Sequence, residues 1–139
     1  MLTDQTLTKL QDLRLEGMAA GYERLQADPA SAEMSFEERL AVLVDNEWLH
    51  QQNRALARRL EYARLKQDAS IENINWRVQR GLQRPVIEQL ATCEWIRYGQ
   101  NCIVTGATGL GKSWLACALA QKACREGYKA LYHYAPRLF

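Results

Sequence analysis

The first part of the chain carries apolar side chains at helical spacing. Leucines open the pattern at Leu7, Leu10, Leu13 and Leu15. Met18, Tyr22 and Leu25 follow at i, i+4 and i+7, as on one face of an α-helix. Asp28-Pro29 interrupts the pattern, because a residue that precedes proline is pushed out of the α region. The spacing therefore predicts two short helices before residue 28.

A long helix is predicted next. Ser35 and Glu38 have the spacing of a capping box, in which the two side chains satisfy free backbone N–H groups at a helix start. Glycine and proline are absent from residues 35–65, so we expect one continuous helix there, with two abutting helices as the alternative. Its apolar stripe comprises Phe36, Leu40, Leu43, Val44 and Trp48 and resumes at Leu56 and Leu60. A shorter helix over about residues 84–92, with Pro85 in its first turn, completes an all-helical domain over residues 1–95.

The pattern changes near Asn101. Residues 102–105 are a short, apolar, partly β-branched run, typical of a strand buried on both faces. A glycine-rich turn follows, then a helix over residues 112–125 that Gly127 ends, then a second strand-like run over residues 129–134. We therefore predict the α/β fold class, in which the helical domain precedes the first βαβ unit of an incomplete parallel-sheet domain over residues 96–139.

Composition excludes several classes of protein. The 139 residues carry 18 Lys+Arg and 16 Asp+Glu, a balance that excludes a polybasic tail or a strongly charged disordered chain. The sequence has neither an apolar run of about 18 residues nor a signal-peptide pattern, so we expect a cytoplasmic protein with no membrane partner. The cysteines match neither a zinc pattern nor a disulfide framework and are expected to be buried thiols. They are Cys93, Cys102, Cys117 and Cys124.

The strongest chemical signal is the motif G-x-x-x-x-G-K-[ST], which lies between a predicted strand and a predicted helix. Its residues are Gly106, Ala107, Thr108, Gly109, Leu110, Gly111, Lys112 and Ser113. The glycines permit backbone conformations in which successive N–H groups surround phosphate oxygens. Lys112 is predicted to reach the β- and γ-phosphates and Ser113 to bind the Mg²⁺ that bridges them. ATP or another nucleoside triphosphate is thus expected; the alternative is a glycine-rich turn without a ligand.

The residues around this loop resemble a known family, the IstB-like transposition helper ATPases, which are relatives of the DnaC-type helicase loaders. The resemblance rests on residues 103–119 with the loop, Gly127-Tyr128, Pro136-Arg137-Leu138, and upstream on Ser35-Phe36-Glu37-Glu38, Glu47-Trp48 and Gln79-Arg80-Gly81-Leu82. It covers nearly the whole chain. It implies a P-loop AAA+ ATPase that binds ATP and Mg²⁺, self-associates on double-stranded DNA and assists a transposase.

The resemblance also implies parts that this sequence does not contain: an acidic pair for Mg²⁺ and water, a polar sensor residue and an arginine that completes a neighbour's site. After Ser113 the only carboxylate side chain is that of Glu126. We therefore expect ATP binding with negligible hydrolysis by this chain alone, and interpret the chain as truncated. The adenine pocket stays unassigned, with Arg80 and Gly81 as weak candidates by position.

A basic segment on the long helix is a candidate DNA contact. Arg54 and Arg58 share a helix face one turn apart, and the resemblance favours a contact with phosphates; the alternative is a solvated helix face. Two other functions stay open. One is a DnaC-like helicase loader, and the other is a catalytically inactive protein-interaction module whose phosphate loop is a relic.

Overall fold

The structure is a computed structural model that describes residues 1–78 and 81–138, with side chains described through Pro136. The α-helices of the described residues are α1 (Leu2–Asp12), α2 (Glu16–Ala27), α3 (Phe36–Ala63), α4 (Arg84–Leu90), α5 (Glu94–Arg97), α6 (Lys112–Arg125) and α7 (Ala135–Leu138). Two 3₁₀ turns lie at Pro29–Glu33 and Ile71–Asn73. The chain divides into two compact units, Met1–Ala55 and Leu56–Phe139. None of the described helices is long and apolar enough to cross a membrane.

The long helix is confirmed as a single element, α3. The Ser35 hydroxyl accepts a hydrogen bond from the Glu38 N–H, and the Glu38 carboxylate accepts one from the Ser35 N–H, both at 3.1 Å. This is the reciprocal pairing of a capping box. The helix continues to Ala63 and ends where Arg64 takes a left-handed backbone conformation, with φ of 51°.

The predicted strands are not found in the described residues, so the α/β fold class is wrong for this structure, which is helical. A strand exists only through hydrogen bonds to a neighbouring strand, and no such bond joins residues 102–105 to residues 129–134. Burial still alternates within residues 102–105, because Val104 packs on the core whereas Ile103 is 84% exposed. The pairing that makes a βαβ unit is therefore absent between these two described segments.

In the first unit, two glycines let α2 approach α3 closely. A Cβ atom on Gly17 would lie 2.5 Å from the carbonyl oxygen of Asn46 and 2.7 Å from Cβ of His50. A Cβ atom on Gly21 would lie 2.7 Å from the side-chain nitrogen of Asn46. The helices thus meet at a distance that any side chain at Gly17 would prevent.

This close contact selects a polar face of α3 rather than the predicted apolar stripe. Asn46 and His50 face Gly17, whereas Phe36, Leu40 and Val44 are exposed. Trp48, also in the predicted stripe, is 62% exposed. Leu43 is partly buried, as are Leu56 and Leu60 in the second unit. The first part of the stripe is therefore not the packing face of α3 in the first unit.

A buried carboxylate caps the N-terminus of α2. Leu15, the N-cap residue, has no side-chain acceptor, and Oε1 of Glu47 accepts the Met18 N–H at 3.1 Å instead. Gln51 donates to the other oxygen of Glu47 at 2.8 Å. Glu47 is only 6% exposed. Burial raises its pKa, but the hydrogen bonds from Gln51, Met18 and Gly17 outweigh burial, so the pKa is lowered from 4.5.

In the second unit, α6 is the central element. Its buried residues are Leu115, Cys117, Ala118, Leu119, Ala123 and Cys124. Leu115 and Leu119 pack with Ile74 and Ile87, and Cys117 and Ala118 pack with Ala69. The predicted helix over residues 112–125 is confirmed. Cys93, Cys117 and Cys124 are buried free thiols, as the sequence predicts, and Cys102 is half-buried.

The contact between α2 and α3 predicts different effects for its two glycines. Gly17→Ala places a methyl group against backbone, which cannot rotate away, so we expect a loss of about 2 kcal/mol in the free energy of unfolding. Gly21→Ala meets only a side-chain amide, so its effect should be much smaller. Urea unfolding followed by circular dichroism measures both. Equal stabilities for the two variants would contradict this packing.

The Glu47 cap predicts a pH dependence. Because the folded-state pKa is lowered, the carboxylate stabilises the fold at neutral pH, and this contribution is lost as the pH falls below about 4.5. In Glu47→Gln the group no longer titrates, so the difference in unfolding free energy between wild type and variant should shrink as the pH falls. Other carboxyl groups cancel in this difference. A difference that stays constant between neutral and acidic pH would contradict the cap.

Candidate functional site

The glycine-rich loop lies directly before α6. Gly111 is the N-cap residue, and its carbonyl accepts a hydrogen bond from the Leu115 N–H at 2.9 Å. The free N–H groups and the positive end of the helix dipole therefore lie at the loop. Burial of the opposite face of α6 holds this helix end in place.

The backbone of the loop has the conformation that its glycines permit. Gly109 and Gly111 have φ of 87° and 90°, in the left-handed region that side chains disfavour, and Gly106 has φ of 156°. The residues from Gly106 to Leu110 are all exposed. The loop is thus an open turn whose backbone is accessible to a ligand.

The side chain of Lys112 connects the two ends of this turn. Its ammonium group donates a hydrogen bond to the carbonyl oxygen of Gly106, six residues earlier in the chain. The side chain of Lys112 therefore links the beginning of the loop to the beginning of α6. Ser113 is exposed in the first turn of the helix. Both residues predicted to contact phosphate and metal thus lie at the helix end.

Two hollows border the loop. A small cavity of about 50 Å³ lies against its inner side and is lined by Val104, Lys112, Trp114 and neighbouring apolar residues. A depression of about 330 Å³ lies along Gly109 and Gly111 and is lined by Asn73, Asn75 and Trp114. No sequence pattern pointed to the two asparagines, because they precede the loop by more than thirty residues and belong to no motif.

The carboxylate that follows the loop in sequence lies at the other end of α6. Glu126 accepts a hydrogen bond from Lys122 at 2.8 Å, and this bond lowers its pKa. The helix has 14 residues, which corresponds to a length of about 20 Å. Within the described residues, no group of three His, Cys, Asp or Glu side chains forms a metal site.

The remaining predicted residues have separate surroundings. Arg80 lies outside the described residues, and Gly81 is exposed with φ of 75°. Arg54 lies 3.7 Å from the Glu16 carboxylate in the first unit. Arg58 is exposed in the second unit, where it lines a cleft with Tyr62 and His133.

An open glycine loop at the N-terminus of a buried helix, closed by a lysine, is a site of the kind that binds anions. Comparison with known proteins shows the family: residues 8–139 match the model of the IstB-like ATP binding proteins. The chain belongs to this family.

Curated relatives carry names of the same kind. The chain is 45% identical over 139 residues to an ATP-binding protein of insertion sequence IS1162 from Pseudomonas fluorescens, covering 99% of this chain and 60% of the relative. It is 41% identical over 139 residues to an insertion-sequence ATP-binding protein of Sinorhizobium fredii, covering 100% and 57%. Identity to an IS21 ATP-binding protein of Pseudomonas aeruginosa is 31% over 129 residues, covering 93% and 49%. The chain thus spans about half to three fifths of these relatives.

The loop geometry predicts a cost for a side chain at Gly109. No heavy atom lies within 4 Å of the position that a Cβ atom would take. The strain of the positive φ is therefore the only destabilising effect expected for Gly109→Ala. We expect a loss of about 1 kcal/mol in the free energy of unfolding. Thr108→Ala, at the adjacent position without a positive φ, is the matched control and should be neutral. Equal stabilities of both variants in urea unfolding would contradict this loop conformation.

Proposed function

We propose that the chain binds ATP with Mg²⁺ through residues 106–113. The backbone N–H groups of Gly109, Gly111 and the first turn of α6 surround the phosphates, and the ammonium of Lys112 neutralises their charge. The Ser113 hydroxyl binds the Mg²⁺ that bridges the phosphates. The observation that carries the proposal is the full match to the phosphate-loop motif at the N-terminus of a buried helix.

The position of Lys112 suits this role. Its ammonium donates to the neutral carbonyl of Gly106 at the beginning of the loop. A phosphate oxygen carries a negative charge, and a charge-assisted hydrogen bond is about twice as strong as one to a neutral group. Because an ammonium has three N–H donors, Lys112 can bind phosphate while its bond to Gly106 holds the side chain beside the loop.

In the complete protein we propose that this ATP site serves a transposition helper that engages double-stranded DNA, a transposase and further copies of itself. Three curated relatives named as ATP-binding proteins of insertion sequences support this function over a helicase loader. Arg54 and Arg58 are proposed DNA contacts. Arg58 is the better candidate, because it is exposed and lines a cleft, whereas Arg54 pairs with Glu16.

The 139-residue chain is proposed to bind ATP without turnover. Hydrolysis requires groups that position water and stabilise charge at the γ-phosphate. The one carboxylate after the loop, Glu126, is held by Lys122 at the far end of α6. It cannot reach a nucleotide at the N-terminus of a helix about 20 Å long.

The proposal predicts Mg²⁺-dependent binding of a fluorescent ATP analogue. Lys112→Ala removes the point charge on the β- and γ-phosphates and should weaken binding at least about tenfold, since a charged hydrogen bond contributes roughly 1.5–3 kcal/mol. Ser113→Ala should weaken the dependence on Mg²⁺ more than the binding measured without metal. Titration by fluorescence anisotropy, with and without EDTA, separates the two effects.

The matched control is Lys122→Ala, which removes a lysine from the opposite end of the same helix. It should bind the analogue as wild type does. Wild type that fails to bind, or Lys112→Ala that binds equally well, would show that the loop is a relic. Phosphate release above background by the pure chain would refute binding without turnover.

A further inference from the structure

The cleft that Arg58 lines in the second unit carries positive charge and tyrosine side chains. It has a volume of about 650 Å³ and lies between the C-terminal part of α3 and residues 131–133. Its lining comprises Arg58, Glu61, Tyr62, Arg64, Leu131, Tyr132 and His133. Two arginines thus face it together with one carboxylate, so the cleft favours an anionic ligand.

Two lysine–tyrosine pairs lie beside the residues of this cleft: Tyr62 lines it, and Tyr134 directly follows the lining residue His133 in sequence. The ammonium nitrogen of Lys129 lies 4.9 Å from the ring centroid of Tyr62, and that of Lys66 lies 5.7 Å from the ring centroid of Tyr134. Both are cation–π distances. Tyr62 and Tyr134 are 49% and 54% exposed. Each ring therefore has an accessible surface beside a positive charge.

The backbone holds these groups in place. The Tyr132 N–H donates to the carbonyl of Ala63 at 2.9 Å, which fixes residues 129–134 against the end of α3. The Tyr132 ring packs on the core around Cys117 and Ala118. Arg59 is not among the lining residues, and its Nε donates to the carbonyl of Cys124 at 2.8 Å. The arginines that line the cleft are Arg58 and Arg64.

We propose that this cleft binds single-stranded nucleic acid. Arg58, Arg64 and Lys129 contact the phosphates, and the rings of Tyr62 and Tyr134 stack with bases. Alternating cations and exposed aromatic rings in a groove are what sequence-independent binding of single strands requires. A duplex keeps its bases stacked inside, so its phosphates would contact the cations while its bases would not stack with the tyrosines.

The proposal rests on the DNA contact at Arg58 in the proposed function and assigns a single strand, rather than a duplex, to this cleft. It does not depend on ATP. Its test is anisotropy titration of the full chain with labelled oligo(dT) of about 15 nucleotides, compared with a duplex of equal length. We expect tighter binding of the single strand, and an affinity that falls with added salt.

Variants separate stacking from charge. Tyr62→Ala and Tyr134→Ala should each weaken oligo(dT) binding at least about fivefold. Tyr62→Phe keeps the ring and should bind oligo(dT) as wild type does. Arg58→Ala and Lys129→Ala should weaken binding and reduce its salt dependence. The matched control is the exposed pair Arg97 and Tyr98, whose guanidinium lies 5.9 Å from the ring centroid. Arg97→Ala and Tyr98→Ala should bind as wild type does.

Three results would overturn the proposal: no oligo(dT) binding, a preference for the duplex, or tyrosine variants that bind as wild type does while circular dichroism shows them folded. The two proposals can fail separately. Lys112→Ala, measured without ATP, should bind oligo(dT) as wild type does. Oligo(dT) binding without ATP binding would refute only the nucleotide site, and duplex binding without single-strand binding would refute only this cleft.

Discussion

Burial of one face of α6 is the constraint on which the second unit depends. Leu115 and Leu119 pack on Ile74 and Ile87, and the fully buried Cys117 and Ala118 close the other side. A helix held along its length presents its first turn in a fixed position. The glycine loop therefore has a rigid base, although its own residues are exposed. Pre-organised N–H groups bind an anion without an ordering cost at the moment of binding.

Charges are distributed along α6 according to its dipole. At its C-terminal end, Arg59 donates to the Cys124 carbonyl, and Lys122 and Arg125 belong to the last turn. Arg125 also donates to both oxygens of Glu72, at 2.8 and 2.9 Å, which lowers the pKa of that carboxyl group. At the N-terminal end the cation is Lys112, whose position opposes the dipole. A cation placed there is unfavourable for the helix alone and favourable only where an anion joins it, which agrees with a functional role.

Much of the helical structure follows from local sequence. The capping box at Ser35 and Glu38, the absence of glycine and proline in residues 36–63, and Pro85 in a first turn specify their helices through contacts over three or four residues. The glycine-rich loop is equally local, because its residues form one run of eight in the sequence. The strand prediction was wrong for the opposite reason. Residues 102–105 have the apolar character of a strand, but strand pairing depends on residues distant in sequence.

The sequence by itself determined where α3 and α6 begin, the conformation of the loop glycines and the membership of the family. Only the tertiary structure decided which faces pack. Glu47 became a cap for α2, and the stripe around Trp48 became surface, because Gly17 and Gly21 admit the polar face of α3. It also placed the ammonium of Lys129 on the ring of Tyr62, 67 residues away in sequence. No periodicity encodes such a contact, because it arises when distant segments compete for the same buried surface.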